Sequence, residues 1–362
     1  MSQSRAERLM ENATDVDKVV IMNGGEPFLD STFWYITGLS TGVFEGSMAF
    51  ISKDGTVDLL VNELEEEAAK SADANVHVYK TRKESKAMVK ELLGDSKNIG
   101  INAQSAVYSM TAYLKKIKRS IKFVNVSKAV DDTVSVKDET EIKAIEKACG
   151  ITSKVAQELP SMISEGVSEK EIAAEMDIRM RRLGGTGNAF ETIAAFGKYS
   201  AECHHKPCDY RLKKGDAALF DFGSKYDMYC SDLTRTIFLG EPDDILKRAY
   251  EIVKKAQIAG INEIRAGVDA KKPDLAARKV IDKSEFKGMF IHSFGHGIGM
   301  DVHQAISVSK KSKQVLKAGN VVSAEPGIYI PGIGGIRIED TVLVTEDGCR
   351  ILTDYDHELT IV

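Results

Sequence analysis

Two stretches of this chain place carboxylates where a lone carboxylate is hardest to accommodate. In "AALFDFGSKYDMYCSDLTRTIFL" (217–239) Asp221 interrupts an apolar run of β type, and in "VVSAEPGIYIPGIGGIRIEDTVLV" (321–344) Glu325 and Glu339 do the same. Burying one ionised carboxylate costs several kcal/mol unless a cation meets it. A turn centred on Tyr226 and Asp227 sets Asp221 opposite Asp232 on one face of an antiparallel hairpin, and a turn near Gly332 sets Glu325 opposite Glu339. Opposed Cβ atoms lie about 4.5–5.5 Å apart, so each pair repels until something positive joins it. Any fold built on these hairpins must supply that positive charge.

Between the hairpins lies "HSFGHGIGMDVHQ" (292–304), in which Gly295, Gly297 and Gly299 surround His296 and let the backbone approach whatever it binds. Four carboxylates and an imidazole form an oxygen-rich set of charge −4, which two divalent ions neutralise. Such a set suits Mn²⁺ or Co²⁺ better than a thiolate-type zinc site, with Zn²⁺ still admissible. Two ions about 3.5 Å apart can share a water and lower its pKa, which is the tool of a hydrolase. An HExxH helix is absent, because Ser293 follows His292. "DFG" (221–223) has no kinase partners, and "GHGIGM" lacks the setting of a dinucleotide loop.

"CHHKPC" (203–208) invites a zinc knuckle, but no second ligand pair lies nearby, and adjacent residues such as His204 and His205 point opposite ways in extended chain. Cys203, His205 and Cys208 are therefore read as loop and packing residues. Five cysteines without framework spacing fit reduced thiols in the cytosol. The net charge of −5 has no long basic run, which argues against nucleic acid and anionic membranes. No apolar stretch suits a signal peptide or a membrane span. Cytoplasmic location is the expectation.

A chain of 362 residues suggests two domains. Residues 1–130 alternate β-type runs ("KVVIM", "FWYITG", "SMAFIS", "TVDLLV", "VHVYK", "NIGIN", "IKFVNV") with helical ones, and Lys53-Asp54-Gly55 marks a hairpin. Residues 131–362 open with a long helix read as running between the domains, then a second with Ser168 and Glu171 as capping box, then strands and two more helices. The expected fold is an α/β domain followed by an α+β domain.

The motifs "LFDFGSKYDMYCSDLTRT", "HSFGHGIGMDVH" and "EPGIYIPGIGGIRIEDT" resemble the Xaa-Pro peptidase branch of the pita-bread metallopeptidases, the family of aminopeptidase P and prolidase. "DSTFWYITGLSTGVFEGSMAFI" is similar to the creatinase-type N-terminal domain. The resemblance implies that Asp221 binds one metal, that Asp232 and Glu339 bridge both, and that His296 and Glu325 complete the other. It implies attack by a metal-bridging hydroxide on the carbonyl before proline, with Glu325 shuttling the proton. His204, seventeen residues before Asp221, is implied to bond the scissile amide. His303 is implied to stabilise the tetrahedral intermediate, and His292 to line the proline pocket. A peptide or dipeptide with proline second is the implied substrate, and a homodimer the implied assembly.

One position departs from the pattern. Prolidases typically carry an Arg four residues after the second His, which clamps the dipeptide's carboxylate; here Ser307 stands there, leaving Arg337, Lys310 or Lys311 to replace it. Dipeptidase and aminopeptidase P both stay open, as do an aminopeptidase without proline preference and a non-catalytic pita-bread module.

Overall fold

A computed structural model describes residues 3–362. They form two compact units, one ending at Val134 and one beginning at Ser135. The boundary expected after residue 130 falls inside helix Ser127–Ser135.

The first unit is α/β. Its six-stranded sheet runs Asn75–Tyr79, Val57–Asn62, Met48–Ser52, Lys18–Met22, Asn98–Ile101, Lys122–Asn125 in spatial order, with helices Arg82–Leu93 and Tyr108–Ile117 supplying apolar cover. The Lys53-Asp54-Gly55 hairpin forms, with Gly55 at φ +81°. "FWYITG" is not a strand. Asp30 caps its first turn by accepting from Thr32 N at 3.0 Å, and Ser31–Thr37 is helical, burying Phe33, Trp34 and Tyr35. A short aromatic run carries no periodicity that separates strand from buried helix, so the cap decided it.

The second unit is α+β and is built in two halves. Helices Glu139–Met162 and Glu169–Arg182 pack Val155, Leu159, Ile172 and Met176 against Phe196, Phe220, Phe222 and Leu233. Helices Asp244–Ile261 and Lys271–Ile281 pack Leu246, Val253, Ala277 and Ile281 in a core with Val322, Ile328, Ile336 and Val342. Helix Glu139–Met162 therefore belongs to this unit, because its apolar side is matched by sheet residues of the same unit. The Ser168–Glu171 capping box forms as expected.

Strands Leu233–Phe238, Ala217–Phe222 and Ile193–Phe196 make one sheet, and Gly295–Gly297, Val321–Ala324 and Asp340–Val344 lie in another. Gly295 and Gly297 serve this second sheet: a Cβ on either would meet the Ser323 or Gln304 carbonyl at 2.0 or 2.2 Å. They are small because a neighbouring strand is close, rather than to admit a ligand. Among the described residues, no helix is long and apolar enough to cross a membrane.

Candidate metal centre and active site

The first hairpin turns one residue later than expected. Asp227 and Met228 both have positive φ (48° and 70°), the signature of a two-residue hairpin turn, and Tyr226 pairs with Tyr229. Asp221 consequently faces Thr234 rather than Asp232. The shift moves the register by two, so Asp221 and Asp232 remain on one face as diagonal neighbours. The second hairpin keeps the expected register. Ala324 pairs with Asp340, Gly327 pairs with Arg337, and both ladders place Glu325 opposite Glu339 at the break between them. Pro326, with no N–H to donate, sits in that break. Glu325 N instead donates to Phe294 O and Glu339 N to Thr234 O, tying the two carboxylates to the histidine segment and to the first hairpin.

His296 completes the group. Its Nε2 lies 3.5 Å from Asp232 Oδ2 and 3.3 Å from Glu325 Oε1, while Nδ1 donates to Gly297 O at 3.1 Å. That bond fixes the tautomer and leaves the Nε2 lone pair free for a cation. Burial, then the neighbouring His303, pulls the His296 pKa down to about 4, so the ring is neutral at neutral pH. Asp232, His296 and Glu339 offer ligand atoms within 4.8 Å of one another.

The electrostatics call for cations. Burial first, then mutual repulsion, pushes Asp232 and Glu339 well above the carboxylate range, and burial pushes Glu325 up to about 8. Asp221 Oδ1, Asp232 Oδ1 and Glu339 Oε1 are buried and accept no hydrogen bond. Buried carboxylate oxygens normally have partners, so three orphans on residues that line one cavity with an unprotonated imidazole fit a divalent-ion cradle.

A cavity of about 370 Å³ opens over this group, and all nine sequence-predicted site residues line it: Asp221, Asp232, His296, Glu325, Glu339, His204, His292, His303 and Arg337. His303 packs edge-on against His296, with ring centroids 4.2 Å apart. His292 Nδ1 donates to Ser293 O, and Tyr329 Oη donates to His292 Nε2, both at 2.8 Å; burial takes the ring's pKa to about 3. Arg337 is 3% exposed and turned inward: Nε donates to Thr234 Oγ1, Nη1 to Tyr329 Oη and Nη2 to Asp221 Oδ2. Neither Ser307, Lys310 nor Lys311 lines the cavity. The exposed Ser307 hydroxyl bonds Ser309 Oγ instead.

Two family models match. Residues 143–346 match the metallopeptidase family M24, and residues 4–133 match the creatinase/prolidase N-terminal domain. The chain belongs to metallopeptidase family M24. It is 40% identical to an Xaa-Pro dipeptidase of Pyrococcus horikoshii over 90% of this chain and 91% of that one. Its fold superposes on an Xaa-Pro dipeptidase from Bacillus anthracis with TM-score 0.90, 34% identity and 99% coverage of both chains. An X-Pro aminopeptidase from Thermotoga maritima superposes equally, at 0.90 and 34%, covering 99% of this chain and 100% of its own. The two-domain architecture expected from the motifs is thus that of M24 peptidases, and the protein is a peptidase.

Some of this M24 site was not legible in the sequence. Cys203, read as a loop residue, lines the cavity together with Phe190 and Ile193. Nothing in a lone Phe, Ile or Cys marks it as cavity lining. Sequence reasoning also missed a second cluster, Glu169, His205 and Cys208, whose ligand-type atoms lie within 4.8 Å of one another. The pair in "CHHKPC" is therefore split: Cys203 belongs to the cavity and Cys208 to this buried cluster, so the stretch folds no four-ligand knuckle.

Proposed function

We propose that this peptidase uses two divalent ions, with Mn²⁺ or Co²⁺ suiting the ligand set better than an admissible Zn²⁺, to hydrolyse the bond between an N-terminal residue and proline. The observation that carries the reading is the set of three orphaned carboxylate oxygens on residues lining the same cavity as the neutral His296. Asp221, Asp232, His296, Glu325 and Glu339 would hold the ions, and four carboxylates balance two dications. Bound there, the ions supply Lewis acidity and a water of lowered pKa.

The chain's own groups do the rest. Glu325 takes up the proton released by the attacking water and passes it to the leaving imino nitrogen. His303, pulled below the ordinary value chiefly by burial, is a neutral donor for the oxyanion. His204 bonds the scissile amide. Uncharged His292, with Phe190 and Ile193, forms the apolar wall for the proline ring. Arg337 orients Asp221 rather than touching substrate, since each of its three nitrogens donates to a neighbouring side chain.

That engagement bears on substrate length. Arg337 is the only Arg or Lys among the described residues lining the cavity, so the lining offers no unengaged guanidinium or ammonium to a dipeptide's terminal carboxylate. We propose that peptides continuing beyond proline are the better substrates, an aminopeptidase P activity. Relatives are named for both activities. The test is hydrolysis of an Xaa-Pro dipeptide and an Xaa-Pro-Xaa tripeptide after chelation and after adding Mn²⁺ or Co²⁺. No metal dependence, or equal cleavage of peptides lacking proline, would refute the reading. Free thiols at all five cysteines fit a reducing cytoplasm, and size-exclusion chromatography tests the homodimer implied by the resemblance.

A further inference from the structure

His204 reaches the cavity from the stretch Glu202–Cys208, is exposed, and makes no side-chain hydrogen bond among the described residues. Its neighbour is held on every side. His205 is buried, its Nε2 donates to Glu169 Oε2 at 2.7 Å, its Nδ1 donates to Glu202 Oε2 at 2.8 Å, and its ring stacks on Tyr199 with centroids 5.1 Å apart. A ring with a carboxylate at each nitrogen donates from both, which makes it an imidazolium and makes both bonds charge-assisted.

Glu169 is the anchor. It is fully buried at the start of helix Glu169–Arg182, where Oε1 accepts from Phe196 N at 2.8 Å and Oε2 accepts from Cys208 N at 2.9 Å as well as from His205. Phe196 ends the strand whose Ile193 pairs with Asp221. One carboxylate thus joins the Asp221 sheet, the far end of the loop and the His205 ring. His205 N also donates to Glu202 O at 3.2 Å, closing a turn with His204 inside it, so holding the side chains at 202 and 205 holds the backbone that carries the ring at 204.

We propose that His205 is a positioning residue that sets His204 over the scissile amide, through the Glu202–His205–Glu169 clamp. The inference rests on the reading of His204 given above. Glu169, His205 and Cys208 could instead hold a cation, but the Glu169 oxygens already accept three N–H groups and both His205 nitrogens donate. A metal would have to displace these bonds.

The test is a double-mutant cycle on the metal-loaded enzyme with an Xaa-Pro-Xaa tripeptide. His205→Leu is expected to lower kcat by about tenfold with little change in KM, and His205→Gln, which can still donate to Glu169, to recover most of it. In a His204→Ala background, His205→Leu should cost less than about twofold more, because what it positions is gone. Glu169→Gln, which preserves shape, gives the same non-additive pattern should His205→Leu fold poorly. Additive losses would overturn the proposal and leave His204 intact as a catalytic group. Full turnover in His204→Ala alone would overturn both readings. An ion beyond two per chain, lost in Cys208→Ser, would make the cluster a metal site and overturn the clamp.

Discussion

Arg337 Nη2 lies 2.6 Å from Asp221 Oδ2, and both residues come from strands whose other side chains build the apolar core. The guanidinium fixes one carboxylate oxygen and leaves the other, Oδ1, without a partner. Partners that orient metal-binding residues typically contribute 10–100-fold to metal affinity. Arg337→Met should therefore weaken binding of Mn²⁺ or Co²⁺ by about that factor, read by calorimetric titration of the chelated protein. Unchanged affinity would return Arg337 to the substrate side.

Asp232 and Glu339 are each almost wholly buried and each keeps an orphaned oxygen. If, as proposed, each is shared by two ions, it supports both at once. Asp232→Asn or Glu339→Gln is expected to abolish turnover and to leave fewer than two ions per chain by elemental analysis. Two ions with full activity would rule out a bridging role.

In the metal-free protein, burial raises Glu325 from an ordinary 4.5 to about 8 and raises Asp232 and Glu339 too. A carboxyl raised in the folded state favours folding fully below its unfolded pKa, and that contribution is lost as pH climbs through the folded value. The melting temperature of chelated protein should consequently fall between about pH 5 and about pH 8, and the gain on adding metal should grow over the same window. Titrating metal near neutrality should release protons, seen as a dependence of binding heat on buffer ionisation enthalpy. A flat profile would show these carboxylates already ionised.

Ser307 pairs across from His296 at the edge of its sheet, close in register to the site but with a hydroxyl turned to Ser309. A guanidinium there could clamp a carboxylate with charge-assisted bonds of about 1.5–3 kcal/mol each. Ser307→Arg should raise dipeptide kcat/KM relative to tripeptide by about tenfold or more. If the wild type already prefers dipeptides and the substitution changes nothing, the carboxylate is held elsewhere.

Much of this protein could be read from its residues because buried charge is so costly. Asp221, Asp232, Glu325 and Glu339 stood out against apolar strands, and four of them in two facing pairs pointed to a shared cation site. Helix Glu169–Arg182 was fixed by its cap, and the Glu325–Glu339 register followed from a turn rich in glycine and proline. The first hairpin was misplaced by one residue because its turn uses positive φ at Asp227 and Met228, conformations that neither residue announces.

Tertiary structure alone decided the rest. Arg337 stands in a strand with no local sign of whether it faces substrate or Asp221; that depends on Thr234, 103 positions away in the chain. The split of "CHHKPC" between cavity and core depends on Glu169, 36 positions upstream of His205. Sequence determines which groups are too costly to bury alone, since desolvation belongs to the residue itself. Which partner meets them is a property of long-range packing, because a hydrogen bond reaches about 3 Å in space and has no fixed length along the chain.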